Sequence, residues 1–139
     1  MEHTPVEIDR IIAVGWFGWR TTRRNTTYRI RDRDGKVLAD GYTEEDAWLR
    51  ANVPLCSTTG DGMLAVWNEL EGQGVVVEYA KIDRTDYGHR FILSVNDDHD
   101  RHPSKWRVYK TDVVNGNKPM ALALGAIGII EGRDAADGN

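Results

Sequence analysis

Cysteine is almost absent from this 139-residue chain. Cys56 is the single cysteine, which excludes an intramolecular disulfide and any metal site built on paired cysteines. A lone cysteine is typically a small buried apolar residue, and a cysteine nucleophile would need a histidine such as His89 beside it. The cysteine content suits a reducing compartment, so we expect a cytoplasmic protein.

Long apolar runs are missing as well. No segment reaches the roughly 18 apolar residues that a transmembrane helix needs, and the start, MEHTPVEIDRII, lacks the basic region and apolar run of a secretory signal. We therefore expect neither membrane insertion nor export by the common route. Hydrophobic residues make up 40% of the chain and charged residues 29%, which is typical of a single globular domain with its own core.

Four segments have the capping residues or apolar spacing of helices. They are residues 4–15, 43–53, 57–74 and 119–131. In the first, Ile8 and Ile12 form the apolar side, with Asp9 facing elsewhere. The last, PMALALGAIGIIE, is apolar nearly all round, which predicts an enclosed helix whose Gly125 and Gly128 allow close approach. Residues 132–139 are polar and are expected to form a flexible tail.

Strand patterns occur in two places. Residues 28–40 predict a small hairpin, because two short strand-like stretches flank Asp34-Gly35, which suits a tight turn. Residues 75–83, 90–97 and 105–114 are rich in β-branched and aromatic residues and predict an antiparallel meander. Both faces of the meander carry apolar side chains, so we expect helices on both. The predicted fold is α+β, one domain over residues 1–131 with the hairpin as an insertion.

Three stretches of this sequence resemble the phage ABA sandwich domain family. The first is IDRIIAVGWFGW, an amphipathic helix ending in Gly15-Trp16. The second is PLCSTTGDGMLAVWNEL, where Ser57 and Thr58 introduce a helix bearing Trp67, and the third is KPMALALGAIGII, where Pro119 opens an Ala/Leu helix. The chain departs from the family at Cys56, where an aromatic residue is usual, and in its long meander with an acidic connection at residues 96–104.

The resemblance implies a three-layer α/β/α sandwich around an antiparallel meander sheet. It also implies a small protein of phage or prophage origin, and hence a location in the cytosol of the host cell. It brings no established activity, because the family as a whole has none.

Positive charge is concentrated in one segment of a chain whose formal net charge is -4. Six arginines lie there with one acid, Asp32, among them. They are Arg20, Arg23, Arg24, Arg29, Arg31 and Arg33. In a strand over residues 28–33, Arg29, Arg31 and Arg33 would share a face, because strand side chains alternate. Guanidinium groups bind phosphates and carboxylates in bidentate fashion, so this stripe is a candidate site for an anion.

One alternative to a ligand site stays open for this segment. An edge strand can carry charge simply to prevent pairing with other chains, and the acids of residues 96–100 could then be its partners. Trp16, Phe17 and Trp19 either cap the core or add an aromatic platform beside the arginines. Nucleic acid is disfavoured, because the chain is acidic overall and the segment has few aromatic residues for base stacking. The candidate ligand-binding residues are therefore Trp16, Trp19 and the six arginines.

Two further segments resemble ligand sites in composition only. Residues 96–104, NDDHDRHPS, contain metal-ligating side chains, but their spacing matches neither a calcium loop nor a zinc site. An exposed acidic turn is the simpler interpretation. Residues 58–62, TTGDG, lack the Lys-Ser/Thr end of a phosphate loop and follow no strand, so helix capping accounts for them. We expect no metal and no cofactor.

No nucleophile or acid–base pair stands out, which favours binding over catalysis. We expect an accessory protein, not an enzyme, that binds a host protein or assembles with copies of itself, with a homodimer as the simplest assembly. The alternative is sequestration of a small anionic ligand, such as a defence-signalling nucleotide, by the arginine-rich segment. A hydrolase using the acidic loop and a metal ranks third.

Overall fold

The computed structural model describes residues 3–81, 88–96, 106–113 and 117–137. Its helices are α1 (Pro5–Gly15), α2 (Glu44–Arg50), α3 (Gly60–Gly72) and α4 (Lys118–Asp137). Its strands are β1 (Arg20–Arg24), β2 (Thr27–Arg31), β3 (Val37–Gly41), β4 (Val76–Lys81), β5 (His89–Val95) and β6 (Arg107–Val113). The strands form two three-stranded antiparallel sheets, β1-β2-β3 and β4-β5-β6. The α+β class is confirmed.

The predicted helices are present, and three start as their caps indicate. The hydroxyls of Thr4, Thr43 and Thr59 each accept the backbone N–H three residues on, at 3.2, 3.1 and 3.0 Å, which satisfies a donor that the helix start leaves free. The fourth helix continues to Asp137, past the boundary expected at residue 131, since residues 133–136 include good helix formers. None of the described helices combines the length and the apolar content needed to cross a membrane.

The first sheet contains one strand more than the predicted hairpin. β1 pairs with β2 from Arg20–Arg31 to Arg24–Thr27, but its sequence, RTTRR, has no apolar residue to signal a strand. The β2–β3 turn also begins earlier than predicted. The Asp32 carboxylate accepts the backbone N–H groups of Asp34 and Lys36, both at 2.9 Å, and β2 therefore ends at Arg31.

The predicted meander is confirmed, and helices pack against one of its faces. Phe91, Leu93 and Val95 of β5 are buried on that side. A Cβ added at Gly125 would lie 2.7 Å from Cδ1 of Leu93, so glycine permits the predicted close approach of α4. The hydroxyl of Thr111 donates to the carbonyl of Ala121 at 2.6 Å, which further fixes α4 on the sheet.

The expected second helical layer is not found among the described residues. Val76 and Val108, on the opposite face of the meander, are 45% and 63% exposed. The apolar residues that suggested two-sided burial alternate there with Glu78 and Lys110, which are also exposed. Since a sheet of three strands can keep one face in water, the described helices leave this face open.

The core consists of two clusters joined by α1. The larger lies between α1, α3, α4 and the meander. The smaller packs Ile30 of β2 and Ala47 of α2 against Ala13 of α1. Ile12 belongs to the larger cluster and its neighbour Ala13 to the smaller, so one helix connects the two halves of the core.

Candidate anion-binding surface

The strand register places four arginines on one side of the first sheet. They are Arg20 and Arg24 of β1 and Arg29 and Arg31 of β2. Arg20 lies opposite Arg31 and Thr22 opposite Arg29, and residues directly opposite in an antiparallel pair point the same way. Ile30, which is fully buried, points to the other side, toward α2. We call the side with the four arginines the arginine face.

Two of these arginines are anchored within the sheet. Nε of Arg29 lies 3.0 Å from Oδ1 of Asp40, close enough for an ion pair, although its N–H is not aligned for a hydrogen bond. Arg31 donates from Nε to the Thr22 hydroxyl at 3.2 Å and from Nη1 to the Gly35 carbonyl at 2.9 Å. These contacts hold both guanidinium groups in place without neutralising that of Arg31.

The other two arginines are exposed and free. Among the described residues, the side chains of Arg20 and Arg24 have no hydrogen bond or ion pair. With Asp40 as the carboxylate, the face carries a formal charge of +3. Like charges on directly opposite residues of an antiparallel pair destabilise the sheet. A bound anion would relieve the repulsion between Arg20 and Arg31.

Arg23 and Arg33 lie elsewhere. Arg23 is on the other side of β1, over the ring of Tyr28 at 5.2 Å. Arg33 lies in the β2–β3 turn, where Nη2 donates to the Trp16 carbonyl at 2.8 Å and pairs with Glu69. The predicted common face of Arg29, Arg31 and Arg33 is therefore wrong for Arg33, because the strand ends before it.

The two candidate tryptophans have different roles. Trp16 is 1% exposed, and its Nε1 donates to the Ala126 carbonyl at 3.0 Å, so its ring belongs to the core. Trp19 is half-buried and stacks on Trp48, with ring centroids 6.4 Å apart and an interplanar angle of 19°. Trp19, Trp48 and Arg20 line a groove of about 510 Å³. Aromatic surface and positive charge thus meet at Trp19 and Arg20.

A second groove, of about 570 Å³, lies beside α1 and the α2–α3 connection. Its lining includes Asp9, which is 4% exposed and accepts the Ser57 N–H at 2.9 Å. Burial raises the pKa of Asp9. Val6 and Leu49 are exposed at this groove. The apolar spacing of α1 predicts that Asp9 faces away from the core, but Asp9 is buried. Its partner lies 48 residues along the chain, so no local pattern of residues indicates this burial.

Cys56 and His89 do not show the properties of a nucleophile and its base. Cys56 is fully buried, and burial raises the pKa of its thiol to about 12, so the thiol stays protonated at neutral pH. The ring of His89 is held by Tyr79, whose hydroxyl lies 2.7 Å from Nδ1.

Two segments resemble ligand sites in composition only, residues 58–62 and 96–104. In TTGDG, Thr59 caps α3 as expected. Most of the acidic segment 96–104, including all its aspartates and histidines, lies outside the described residues. Within the described part of the chain, no three Asp, Glu, His or Cys side chains are grouped as metal ligands. Comparison of the chain with family models, with curated proteins and with solved structures finds no match.

Proposed function

We propose that the protein acts by binding, without catalysis, and that its arginine face binds an acidic surface of a host protein. The observation that carries the proposal is that Arg20 and Arg31 lie directly opposite each other on the arginine face. The carboxylate of Asp40 on that face pairs with Arg29. The opposition of Arg20 and Arg31 costs stability in the free protein, and bidentate contacts with carboxylates of a partner would offset that cost.

The shape of the face favours a protein partner over a small ligand. Small molecules bind mostly in concave pockets, whereas a three-stranded sheet presents a broad surface. Arginine is enriched in protein interfaces and among their energetically dominant residues. No aromatic residue of β1–β3 is on the arginine side, so these strands offer the bases of a nucleic acid no ring to stack on there.

We also propose that the chain belongs to the phage ABA sandwich domain family and works as a phage accessory protein in the host cytosol. The observed order, with α1 followed by the first sheet, α2, α3, the meander and α4, supports this assignment. In the α/β/α order of layers, α3 and α4 form one helical layer on the meander.

Charge reversal at the two free arginines tests the arginine face. Binding of fluorescent poly-glutamate, a simple acidic polypeptide, is measured by anisotropy for the native protein and for Arg20→Glu and Arg24→Glu. Neither variant removes a hydrogen bond or ion pair among the described residues, so each should fold normally and bind at least about tenfold more weakly. Binding should also weaken with added salt.

The matched control is Lys118→Glu, which reverses a charge on α4, where Lys118 lies over the ring of Tyr79. It should bind like the native protein. Equal binding by Arg20→Glu, Arg24→Glu and the native protein would disprove the role of the arginine face.

A nucleotide in the Trp19–Trp48 groove is the second candidate. The groove volume of about 510 Å³ is within the usual range for small-molecule sites, about 300–1,000 Å³, and Arg20 lies where a phosphate could pair. A nucleotide at one hundred times its dissociation constant would raise the free energy of unfolding by about 2.7 kcal/mol.

Thermal shifts with a nucleotide panel separate the two candidates. Arg20 lines the groove and Arg24 does not, so Arg20→Glu should abolish the nucleotide shift while Arg24→Glu keeps it. No shift with any nucleotide would exclude the groove and leave the arginine face as proposed.

A further inference from the structure

The face of the meander that no described helix covers has an ordered pattern of charge. Its side chains come from alternate positions of the three strands, and we call it the open face. They are Val76, Glu78 and Ala80 of β4, Arg90, Ile92 and Ser94 of β5, and Val108 and Lys110 of β6. All are exposed or half-buried, whereas the alternate residues of β5 are buried under the helices.

The register sorts these side chains into rows across the sheet. One row is Val76–Ser94–Val108, and the next is Glu78–Ile92–Lys110. The β4 edge therefore carries a valine and a carboxylate, and the β6 edge carries a valine and an ammonium group at the matching positions. Among the described residues, Glu78 and Lys110 have no hydrogen bond or ion pair.

We propose that the open face binds a second copy of this chain, with a twofold axis that runs along β5 between the two sheets. Such an axis places β4 of each copy over β6 of the other. Glu78 then meets the partner's Lys110, and Val76 meets the partner's Val108. Ile92, in the middle, packs against the same residue of the partner. Each pair occurs twice, because a twofold interface is self-complementary.

The charges select this orientation. A twofold axis across the strands would place β4 over β4, so that Glu78 would meet Glu78 and Lys110 would meet Lys110, and like charges opposite one another are unfavourable. In the proposed orientation Arg90 lies opposite the partner's Arg90. Arg90 already has an interaction within its chain, and packed sheets cross at about 30°, which separates residues away from the centre.

The area of the open face determines how strongly the two copies are expected to bind. With strands about 4.8 Å apart and same-face residues about 6.8 Å apart, the face covers on the order of 300 Å². A stable interface buries about 800 Å² per partner. The dimer is therefore expected to be weak, and its population to rise with protein concentration.

Reciprocal charge reversal tests the proposal by sedimentation equilibrium over a wide range of protein concentration. Glu78→Lys and Lys110→Glu each replace two attractive pairs by two repulsive ones, so each should raise the dimer dissociation constant by about tenfold or more. The double variant, Glu78→Lys with Lys110→Glu, restores both pairs and should dimerise like the native protein. Both side chains are exposed, and circular dichroism verifies that the variants fold.

The matched control is Glu71→Lys, the same charge change on α3, which should leave the dissociation constant unchanged. A native protein that stays monomeric at all concentrations would overturn the proposal, and so would a dimer that the single reversals do not weaken. A dimer that forms through the sheet edges would not be weakened by the single reversals. If the face binds a different protein instead, the native protein would stay monomeric. The proposal shares with the proposed function only the premise of binding. Poly-glutamate binding and dimerisation are measured separately, so either can fail alone.

Discussion

Asp9 fixes the α2–α3 connection to α1 through one buried hydrogen bond. Its Oδ1 accepts the backbone N–H of Ser57 at 2.9 Å, and the two residues are 4% and 0% exposed. Burial raises the pKa of Asp9 above its ordinary value, so the fold favours the protonated carboxyl. The stabilisation by protonated Asp9 is fully present below the pKa that Asp9 has in the unfolded chain. It is lost as the pH rises through the higher pKa that Asp9 has in the folded protein.

Two substitutions of Asp9 separate its charge from its hydrogen bond. Asp9→Asn keeps an acceptor and removes the charge, so the native protein should lose stability relative to Asp9→Asn as the pH rises from about 4. Asp9→Ala leaves the Ser57 N–H buried without a partner, which should cost about 1–3 kcal/mol. Urea unfolding between pH 3 and pH 7 measures both effects. Equal stability of the two variants, or a native protein that gains on Asp9→Asn with rising pH, would refute this account.

At the scale of elements, the first turn of α3 lies directly on the chain that precedes it. A Cβ at Gly62 would overlap the carbonyl of Leu55 and lie 2.8 Å from the backbone N of Cys56. Helix and connection are thus in backbone contact, and glycine is required for this approach because any side chain would push them apart.

Alanine at two glycines of the same turn tests this contact. Gly62→Ala should destabilise the protein by about 1–3 kcal/mol, since the backbone of Leu55 must move. Gly60→Ala is the matched control, because a Cβ there has nothing within 4 Å, and it should be neutral or stabilise the helix by up to about 1 kcal/mol. Thermal or urea unfolding gives both values. Shifts of the same sign for the two variants would contradict the prediction.

At the scale of the whole molecule, the two halves of the core differ in size. The larger cluster contains most of the buried apolar residues of α1, β5 and α4, whereas the smaller one rests on five buried side chains, three of them alanines. Arg10 reinforces the smaller half from α1 with two hydrogen bonds to Glu45 of α2, at 2.7 and 3.0 Å. An exposed pair of this kind contributes little to stability.

This difference predicts that the first sheet opens before the meander does. Amides of β1–β3 should exchange with deuterium at least about tenfold faster than those of β5 under native conditions, because local opening costs less where less apolar area is buried. Hydrogen exchange with mass spectrometry measures both sheets in one experiment. Equal protection of β2 and β5 would show that the molecule opens as a single unit.

The amino-acid sequence by itself determined the features that depend on near neighbours. The threonine caps of α1 and α2, the Asp34-Gly35 turn and the strands of the meander were predictable, because each depends on residues a few positions apart. In the arginine-rich segment, the pattern correctly assigned Arg29 and Arg31 to one strand face, as strand alternation requires.

Tertiary structure alone decided which surfaces are covered and which are open. β1 has no apolar residue and is a strand only because β2 pairs with it. Asp9 is buried where Ser57, far along the chain, donates its backbone N–H to it, and the meander has an open face because α3 and α4 both pack on the other. The burial of Asp9 and the open face depend on contacts between distant segments, whose free energies no local pattern of residues contains.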